Sequence, residues 1–241
     1  MLVLPMVEQV TNVEGFWVED WFVQPRLGRI VRQQIVVSLR PRVMEVLVAL
    51  SNRAGEVVSK RELVDVVWSS GFVSDNTIIH CIKELRKELG DKAKTPRFVQ
   101  TIPRRGYRLL GKVRPANTTD EITWIDEARF LLAAERLSIF LVDGENIIGR
   151  GGEAQIVIHS SWISRHHARI VVGEHGVTVE DLGSKNGTIV CDQMIDQPTR
   201  LCDGDSLRIG DLRFEFRSWD QEGHDATWTM QSPSATREPH P

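Results

Sequence analysis

Two different patterns of apolar and polar positions divide the chain. From Phe16 to Leu39 the apolar residues come in short runs (Phe16, Val18, Trp21, Val23, then Ile30, Ile35, Val37), broken by Pro25 and Gly28. That pattern predicts short strands. From Pro41 the spacing becomes helical. Pro41 suits a first helical position, and Val43, Val46, Leu47 and Leu50 form a stripe that ends before Gly55. Ser59 and Glu62 have the spacing of a capping box, which closes two orphan amides reciprocally. They open a second helix through Leu63, Val66, Val67 and Trp68, broken at Ser69-Ser70-Gly71. A third helix starts near Ser74 or Asp75 and ends at Gly90. Ile78, Cys81, Ile82, Leu85 and Leu89 are its buried stripe, and Asn76, Thr77, His80, Lys83, Glu84 and Lys87 its outer face. Two β-like runs then flank the basic turn Pro103-Arg104-Arg105-Gly106, which predicts a hairpin.

From Phe130 the helical period disappears. About nine short β-like runs alternate with Gly, Asp and Asn turns up to Arg217, the pattern of an all-β sandwich. The fold expected is therefore an α+β unit with leading strands over 14–113, then an all-β unit over 121–219. A polar linker at 114–120 joins them. Residues 220–241 hold Pro233, Pro239 and Pro241 with no apolar period and are expected to be a disordered tail. Thr118, Thr119, Thr227, Thr229 and Thr236 are either kinase targets or ordinary solvated residues.

Charge sharpens the division. The net charge of −3 over 241 residues hides two opposite halves. Met1 to Val113 carries 18 Lys and Arg against 12 Asp and Glu, a net of +6, and the remainder 12 against 21, a net of −9. Two modules with different partners fit that asymmetry. Three cysteines (Cys81, Cys191, Cys202) fit a reducing compartment better than a disulfide framework, and none has metal-ligand spacing. The start MLVLPMVEQV lacks a basic n-region, and no apolar run reaches the ~18 residues of a membrane span.

Helix, turn, amphipathic helix and basic hairpin make the plan of a winged helix-turn-helix. The runs G-E-V-V-S-K-R-E-L (55–63), V-W (67–68), K-E-L-R-K-E-L-G-D (83–91) and V-Q-T-I-P-R-R-G-Y-R-L (99–109) resemble the OmpR/PhoB-type output domain of bacterial regulators. The resemblance implies that the third helix enters the major groove and the wing the adjacent minor groove. It implies groove or phosphate contacts for Asn76, Thr77, His80, Lys83 and Lys87, backbone contacts for Arg86 and Thr101, and a wing tip at Arg104 and Arg105. Asn76 suits adenine; Glu84 either accepts from cytosine or pairs with a neighbouring cation on a solvated face. Many members carry more arginine on this helix.

The second half holds three polar clusters at loop ends: Ile148-Gly149-Arg150, Ser164-Arg165-His166-His167-Ala168-Arg169-Ile170, and Asp181 to Thr188, which reads D-L-G-S-K-N-G-T. Two guanidiniums and a hydroxyl converging at one end of a sandwich would hold a phosphate in a fork. The set resembles the forkhead-associated (FHA) domain, which binds phosphothreonine peptides. The resemblance implies that Arg150 and Ser164 hold the phosphate, Arg165 the phosphate or peptide backbone, Lys185 the phosphate, and Asn186 the peptide main chain. It implies architectural roles for Gly149, His167 and Gly187, with His166 merely exposed. The plainer alternative is an FHA fold kept only for protein contacts.

The expected function is that of a cytoplasmic, DNA-binding transcriptional regulator of a bacterium, whose FHA-like half recognises phosphothreonine on a partner or kinase and couples it to promoter binding. Its partners are double-stranded DNA and a phosphothreonine-containing protein such as a Ser/Thr kinase. A homodimer on DNA is one expected arrangement, and no membrane contact is expected. The alternative is a phospho-dependent scaffold whose winged helix binds protein. No nucleophile–base pair or metal cluster points to an enzyme. Gly149-Arg150-Gly151-Gly152 lacks the Gly-Lys-Ser/Thr of a P-loop, and no cofactor is expected.

Overall fold

A computed structural model describes residues 15–69, 73–116 and 128–219. Most of the expected linker, the breaker Ser70-Gly71 and the expected tail lie outside these residues. The described residues begin with four antiparallel strands, β1 (Phe16–Val18), β2 (Trp21–Gln24), β3 (Arg29–Arg32) and β4 (Ile35–Ser38). Three helices follow: α1 (Pro41–Ser51), then β5 (Val57–Val58), α2 (Lys60–Val67) and α3 (Asp75–Leu89). The hairpin β6 (Val99–Ile102) and β7 (Gly106–Leu109) pairs with β5 in a three-stranded sheet. A further strand, β8 (Val113–Pro115), returns to pair with β1.

The second half contains β9 (Phe130–Ala133), β10 (Leu137–Leu141), β11 (Gly144–Gly149), β12 (Ile156–Val157), β13 (Ala168–Gly173), β14 (Gly176–Asp181), β15 (Thr188–Val190), β16 (Gln193–Met194), β17 (Thr199–Leu201), β18 (Ser206–Ile209) and β19 (Leu212–Ser218). These make a sandwich. One layer runs β12-β11-β13-β14-β17 and the other β16-β15-β18-β19-β9-β10. Phe214, Phe216, Leu132, Ile139, Ile170 and Val179 fill the space between the layers. The architecture is an α+β winged helix with leading strands followed by an all-β sandwich, in two domains.

Local chemistry accounts for the helices. Ser59 Oγ accepts from Glu62 N–H, and Glu62 Oε2 accepts from Ser59 N–H at 2.8 Å, so the capping box at α2 is closed. The Ser59 and Arg53 hydrogen bonds hold the Glu62 carboxyl down to about 2. Ser74 caps α3, and Gly90 ends it at φ 69°, a left-handed position that suits glycine. The stripe Ile78, Cys81, Ile82, Leu85 and Leu89 is buried, with α3 packed on α1 and α2. Truncating Leu85 to alanine would cost about 2–5 kcal/mol.

Three expectations are corrected. Of the apolar residues through which α2 was expected to run, Leu63 and Val67 are buried and Val66 points outward at 69% exposure. Arg114 and Pro115, read as linker, are strand residues opposite Trp17 and Phe16. The sandwich also has two strands beyond those expected, β16 and β17.

The two halves are joined by more than a linker. Strand β10 pairs antiparallel with β4, Leu137 opposite Val37 and Ile139 opposite Ile35. One layer of the sandwich thus continues into the leading sheet of the winged helix, giving eleven strands in all. Ser38 N–H donates to Arg136 C=O at 2.8 Å, and Phe140 N–H to Gln34 C=O at 2.9 Å. The Gln34 amide reaches further and donates to Asn146 Oδ1 at 2.7 Å. Asn146 is fully buried. Apolar residues of both halves form one continuous core.

Candidate functional site

Two surfaces carry the candidate chemistry. The first is a groove of about 950 Å³ between α3, the start of α2 and the β6–β7 hairpin. Its cations come from three elements: Lys60 and Arg61, Lys83 and Lys87, Arg104 and Arg105. Arg104 sits at φ 61° in the tight turn of the hairpin, which turns the tip outward. The one acid lining the groove, Asp91, is occupied. Its carboxylate accepts from the N–H groups of Lys92, Arg97, Phe98 and Val99. Lys60 pairs with Asp75, while Arg61, Lys83, Lys87, Arg104 and Arg105 have no ion pair among the described residues.

The α3 residues expected at this surface divide into two groups. Asn76, Thr77, His80, Lys83 and Lys87 are exposed. Thr77 also belongs to the helix cap, its Oγ1 lying 3.1 Å from Ser74 Oγ. Arg86 is turned inward. Its guanidinium donates to Val99 C=O at 2.8 and 3.1 Å and to Thr101 Oγ1 at 2.8 Å, so it braces the helix against the wing. Thr101 is the acceptor of that brace. Glu84 faces away from the groove and pairs with Arg136 of the sandwich and, at 3.5 Å, with Arg40. Neither the cytosine contact nor a pairing along the helix describes it. Ile79, 45% exposed, joins the groove lining, and so do Lys60 and Arg61. Sequence reasoning passed over all three, although the basic pair directly after the Ser59 cap was a visible signal.

The second surface is the loop end of the sandwich. Strand β11 delivers Gly149-Arg150, and Arg150 N–H donates to Ser164 C=O at 2.9 Å. A Cβ at Gly149 would lie 1.9 Å from Arg165 C=O, so only glycine lets these two loops approach. Ser164 Oγ accepts from Lys185 N–H at 3.0 Å, which ties the second loop to the third. Buried His167 holds all three together. Its Nδ1 accepts from Ser164 N–H at 3.1 Å, so the ring proton sits on Nε2, which donates to Gly187 C=O at 3.2 Å.

Asp181, unassigned from sequence, organises the third loop. Its carboxylate accepts from Ser184 N–H, Ser184 Oγ and Thr188 Oγ1 at 2.7–2.8 Å. Partial burial pushes its pKa up, but the Thr188 and Ser184 hydrogen bonds outweigh that and hold it below the usual carboxylate range. Asn186 donates to Trp162 C=O at 2.7 Å, and its neighbour Gly187 adopts φ 72°.

Arg150, Arg165 and Lys185 project from this frame into solvent, and no carboxylate among the described residues pairs with them. His166 is also exposed, 3.8 Å from Glu153. Two large apolar side chains border the site: Trp162 at 59% exposure, and Met194 at 67%, which lies over Gly187. Three cationic side chains around a hydroxyl held by backbone can bind a doubly charged oxyanion.

Two family models match the chain, one in each half. Residues 33–109 match the model "Transcriptional regulatory protein, C terminal", and residues 146–210 match "FHA domain". The chain joins an OmpR/PhoB-type winged helix to an FHA domain. Over 94 residues it is 37% identical to the transcriptional activator CadC of Escherichia coli strain K12, covering 39% of this chain and 18% of CadC. It thus spans under a fifth of that relative's length. The DNA-binding domain of E. coli CadC superimposes at TM-score 0.40 with 34% identity, over 43% of this chain and 97% of that domain. An FHA domain from a study of phosphothreonine-dependent interactions superimposes at 0.36 with 33% identity, over 39% of this chain and 98% of that domain. Among the described residues no helix of the chain is long and apolar enough to cross a membrane. Nor does any cluster of His, Cys, Asp or Glu among them suit a metal ion.

Proposed function

We propose that this protein is a cytoplasmic transcriptional regulator, not an enzyme. On this reading the winged helix binds double-stranded DNA through the α3–hairpin groove, and the FHA domain captures a phosphothreonine on a partner protein such as a Ser/Thr kinase. The observation that carries the reading is the pairing of two cationic surfaces of different construction on one continuous sheet and core. The groove spreads cations over three elements, as a phosphate backbone requires. The socket fixes one hydroxyl by Lys185 N–H, and its exposed cations Arg150, Arg165 and Lys185 stand on loops that the Ser164 and His167 hydrogen bonds tie together, as capture of a phosphate monoester would require.

In this scheme Lys83, Lys87, Arg104 and Arg105 contact phosphates, with Lys60 and Arg61 extending the track. Asn76, Thr77 and His80 face base edges, and Ile79 offers apolar contact to a thymine methyl. Arg86 and Thr101 act indirectly, by fixing the wing against α3. In the socket Arg150, Ser164, Arg165 and Lys185 hold the phosphate, and Asn186 is presented for the peptide main chain. Gly149, His167 and Gly187 keep the loops in place. The domain limits follow the strands, with the winged helix running through β8 and the FHA domain beginning before β9.

The test is a pair of titrations on the full chain. Duplexes selected from a random pool should bind with a steep fall in affinity as salt rises, since each phosphate contact releases counterions. A degenerate phosphothreonine peptide array should be retained, and its unphosphorylated copy should not. Duplex binding that is absent or insensitive to salt would favour a phospho-dependent scaffold whose winged helix binds protein.

A further inference from the structure

The segment between β12 and Ser164 runs from the end of α3 to the socket. At its far end Ser164 and Arg165 form part of the socket. At its near end the ring of His159 lies on Gly90, the residue that closes α3. A Cβ built at Gly90 would lie 2.0 Å from His159 Cδ2 and 2.4 Å from Nε2. Gly90 is no passive neighbour, because its N–H and that of Asp91 close the last turn of α3 on Lys87 and Arg86 C=O. Lys87 faces the groove and Arg86 braces the wing. The His159 contact thus falls on the turn of α3 that positions both.

The segment between these ends is short and pinned. Ile158 N–H donates to Gly149 C=O at 2.8 Å. Ser160 Oγ donates to Asp211 at 2.6 Å and accepts from Trp162 N–H. Ile163 is buried, and Trp162 C=O is held by Asn186. A displacement at Ser164 has little slack to absorb it before His159. The His159 contact itself is modest, since the residue keeps an exposed side. That combination suits an element with a docked and an undocked state. The FHA domain grips the same helix a second time, where Arg136 pairs with Glu84 and, at 3.4 Å, with Glu88. This second grip lies away from the socket and so holds α3 whether or not a ligand is bound.

We infer that the segment 158–164 transmits occupancy of the phosphate socket to the DNA-reading helix: a phosphothreonine held at Ser164 keeps His159 docked on Gly90 and tightens the hold of α3 and the wing on DNA. This rests on the reading of the groove and the socket given above. His159 and Arg136 are positioning residues that touch neither ligand. Because β4 and β10 share a sheet, the coupling needs no swing of one domain against the other. Linkage makes it reciprocal, so DNA raises phosphopeptide affinity by the same factor.

The experiment is a binding cycle on the full chain. A duplex selected from a random pool is titrated with and without a saturating pool of degenerate phosphothreonine peptides, the unphosphorylated pool serving as blank. Wild type should bind DNA about five- to tenfold tighter with the phosphorylated pool, a factor within the usual range of allosteric coupling. His159→Ala should bind peptide as wild type does, yet bring that factor close to one. Hydrogen exchange at the amides of 87–91 should slow on peptide binding in wild type and not in His159→Ala. Arg136→Gln should weaken DNA binding equally with and without peptide and leave the factor intact. A His159→Ala chain that keeps the wild-type factor overturns the inference, and so does a wild type that binds peptide with no change in DNA affinity. A wild type that binds no phosphopeptide overturns the socket reading and this inference with it, a failure distinguishable because it appears before any DNA is added.

Discussion

The groove and the socket both present cations to phosphate, but they are built in opposite ways. In the groove the cations sit on long side chains from α2, α3 and the hairpin; Arg86 is locked by Val99 C=O and Thr101, and Lys60 pairs with Asp75. In the socket the frame is fixed first. His167 joins Ser164 to Gly187, Asp181 holds Ser184 and Thr188, and Lys185 N–H reaches Ser164 Oγ. The groove works through summed charge and tolerates small displacements. The socket works through position, so its neutral braces matter as much as its cations. Long flexible cations give salt-sensitive affinity, whereas a preorganised oxyanion site gives selectivity.

The largest effect should come from removing the socket's central brace. His167→Ala leaves Ser164 N–H and Gly187 C=O without their buried partner, which would cost about 2–4 kcal/mol of stability. Thermal unfolding followed by circular dichroism should show a drop of several degrees. Phosphopeptide retention should vanish below the new midpoint too, while DNA affinity at low temperature falls far less. If peptide binding survived in a stable His167→Ala chain, the contrast between frame and field would be wrong.

Next comes the seam. Arg136→Gln removes the cation between Glu84 and Glu88, whose side chains are 17% and 15% exposed. Burial raises the Glu88 pKa and Arg136 opposes the rise, so losing Arg136 should raise it further. With discount for the partial exposure of Arg136, the destabilisation should be about 1–2 kcal/mol, read as a shift in urea midpoint. An unchanged midpoint would mean that the shared sheet alone carries the seam.

The groove should respond more gently, residue by residue. Arg104→Ala and Arg105→Ala should each weaken duplex binding by roughly 0.5–1 kcal/mol. Each should also lower the slope of affinity against salt by about one, uniformly across sequences. Phosphopeptide affinity should not move. A loss confined to one DNA sequence would mean that these arginines read bases.

The smallest effect is a pH dependence of the third loop. Asp181 has a lowered pKa in the folded chain, so the unfolded state takes up its proton first as pH falls. Its contribution is complete above the ordinary carboxylate range and is lost on acidification through its lowered value. Asp181→Asn should flatten that part of the acid unfolding curve, measured by tryptophan fluorescence.

Much of this was legible because it is local. The α3 stripe Ile78, Cys81, Ile82, Leu85 and Leu89 and the Ser59–Glu62 box follow from spacing and capping chemistry, and both are present. The three socket clusters announced themselves by residue type at loop ends. What escaped depends on partners distant in sequence. Arg86 looked like a DNA contact because its acceptors, Val99 C=O and Thr101, lie across a tertiary gap. Glu84 found Arg136, 52 residues away, rather than a neighbour on its own helix. Strand β8 forms only because β1 lies beside it, and β16 was missed because Gln193 and Met194 are both exposed and show no alternation. The β4–β10 pairing has no local signature, since both strands look like ordinary edge strands of separate domains.

The central claim is that the socket reads phosphate through Arg150 and Ser164. The most direct test is calorimetric titration of wild type and Arg150→Ala with a degenerate phosphothreonine peptide pool and its unphosphorylated twin. The account predicts that wild type binds only the phosphorylated pool and that Arg150→Ala binds it weaker by about 1.5–3 kcal/mol, with unfolding temperature unchanged. Equal binding of the two pools, or an Arg150→Ala chain that binds as wild type does, would contradict it.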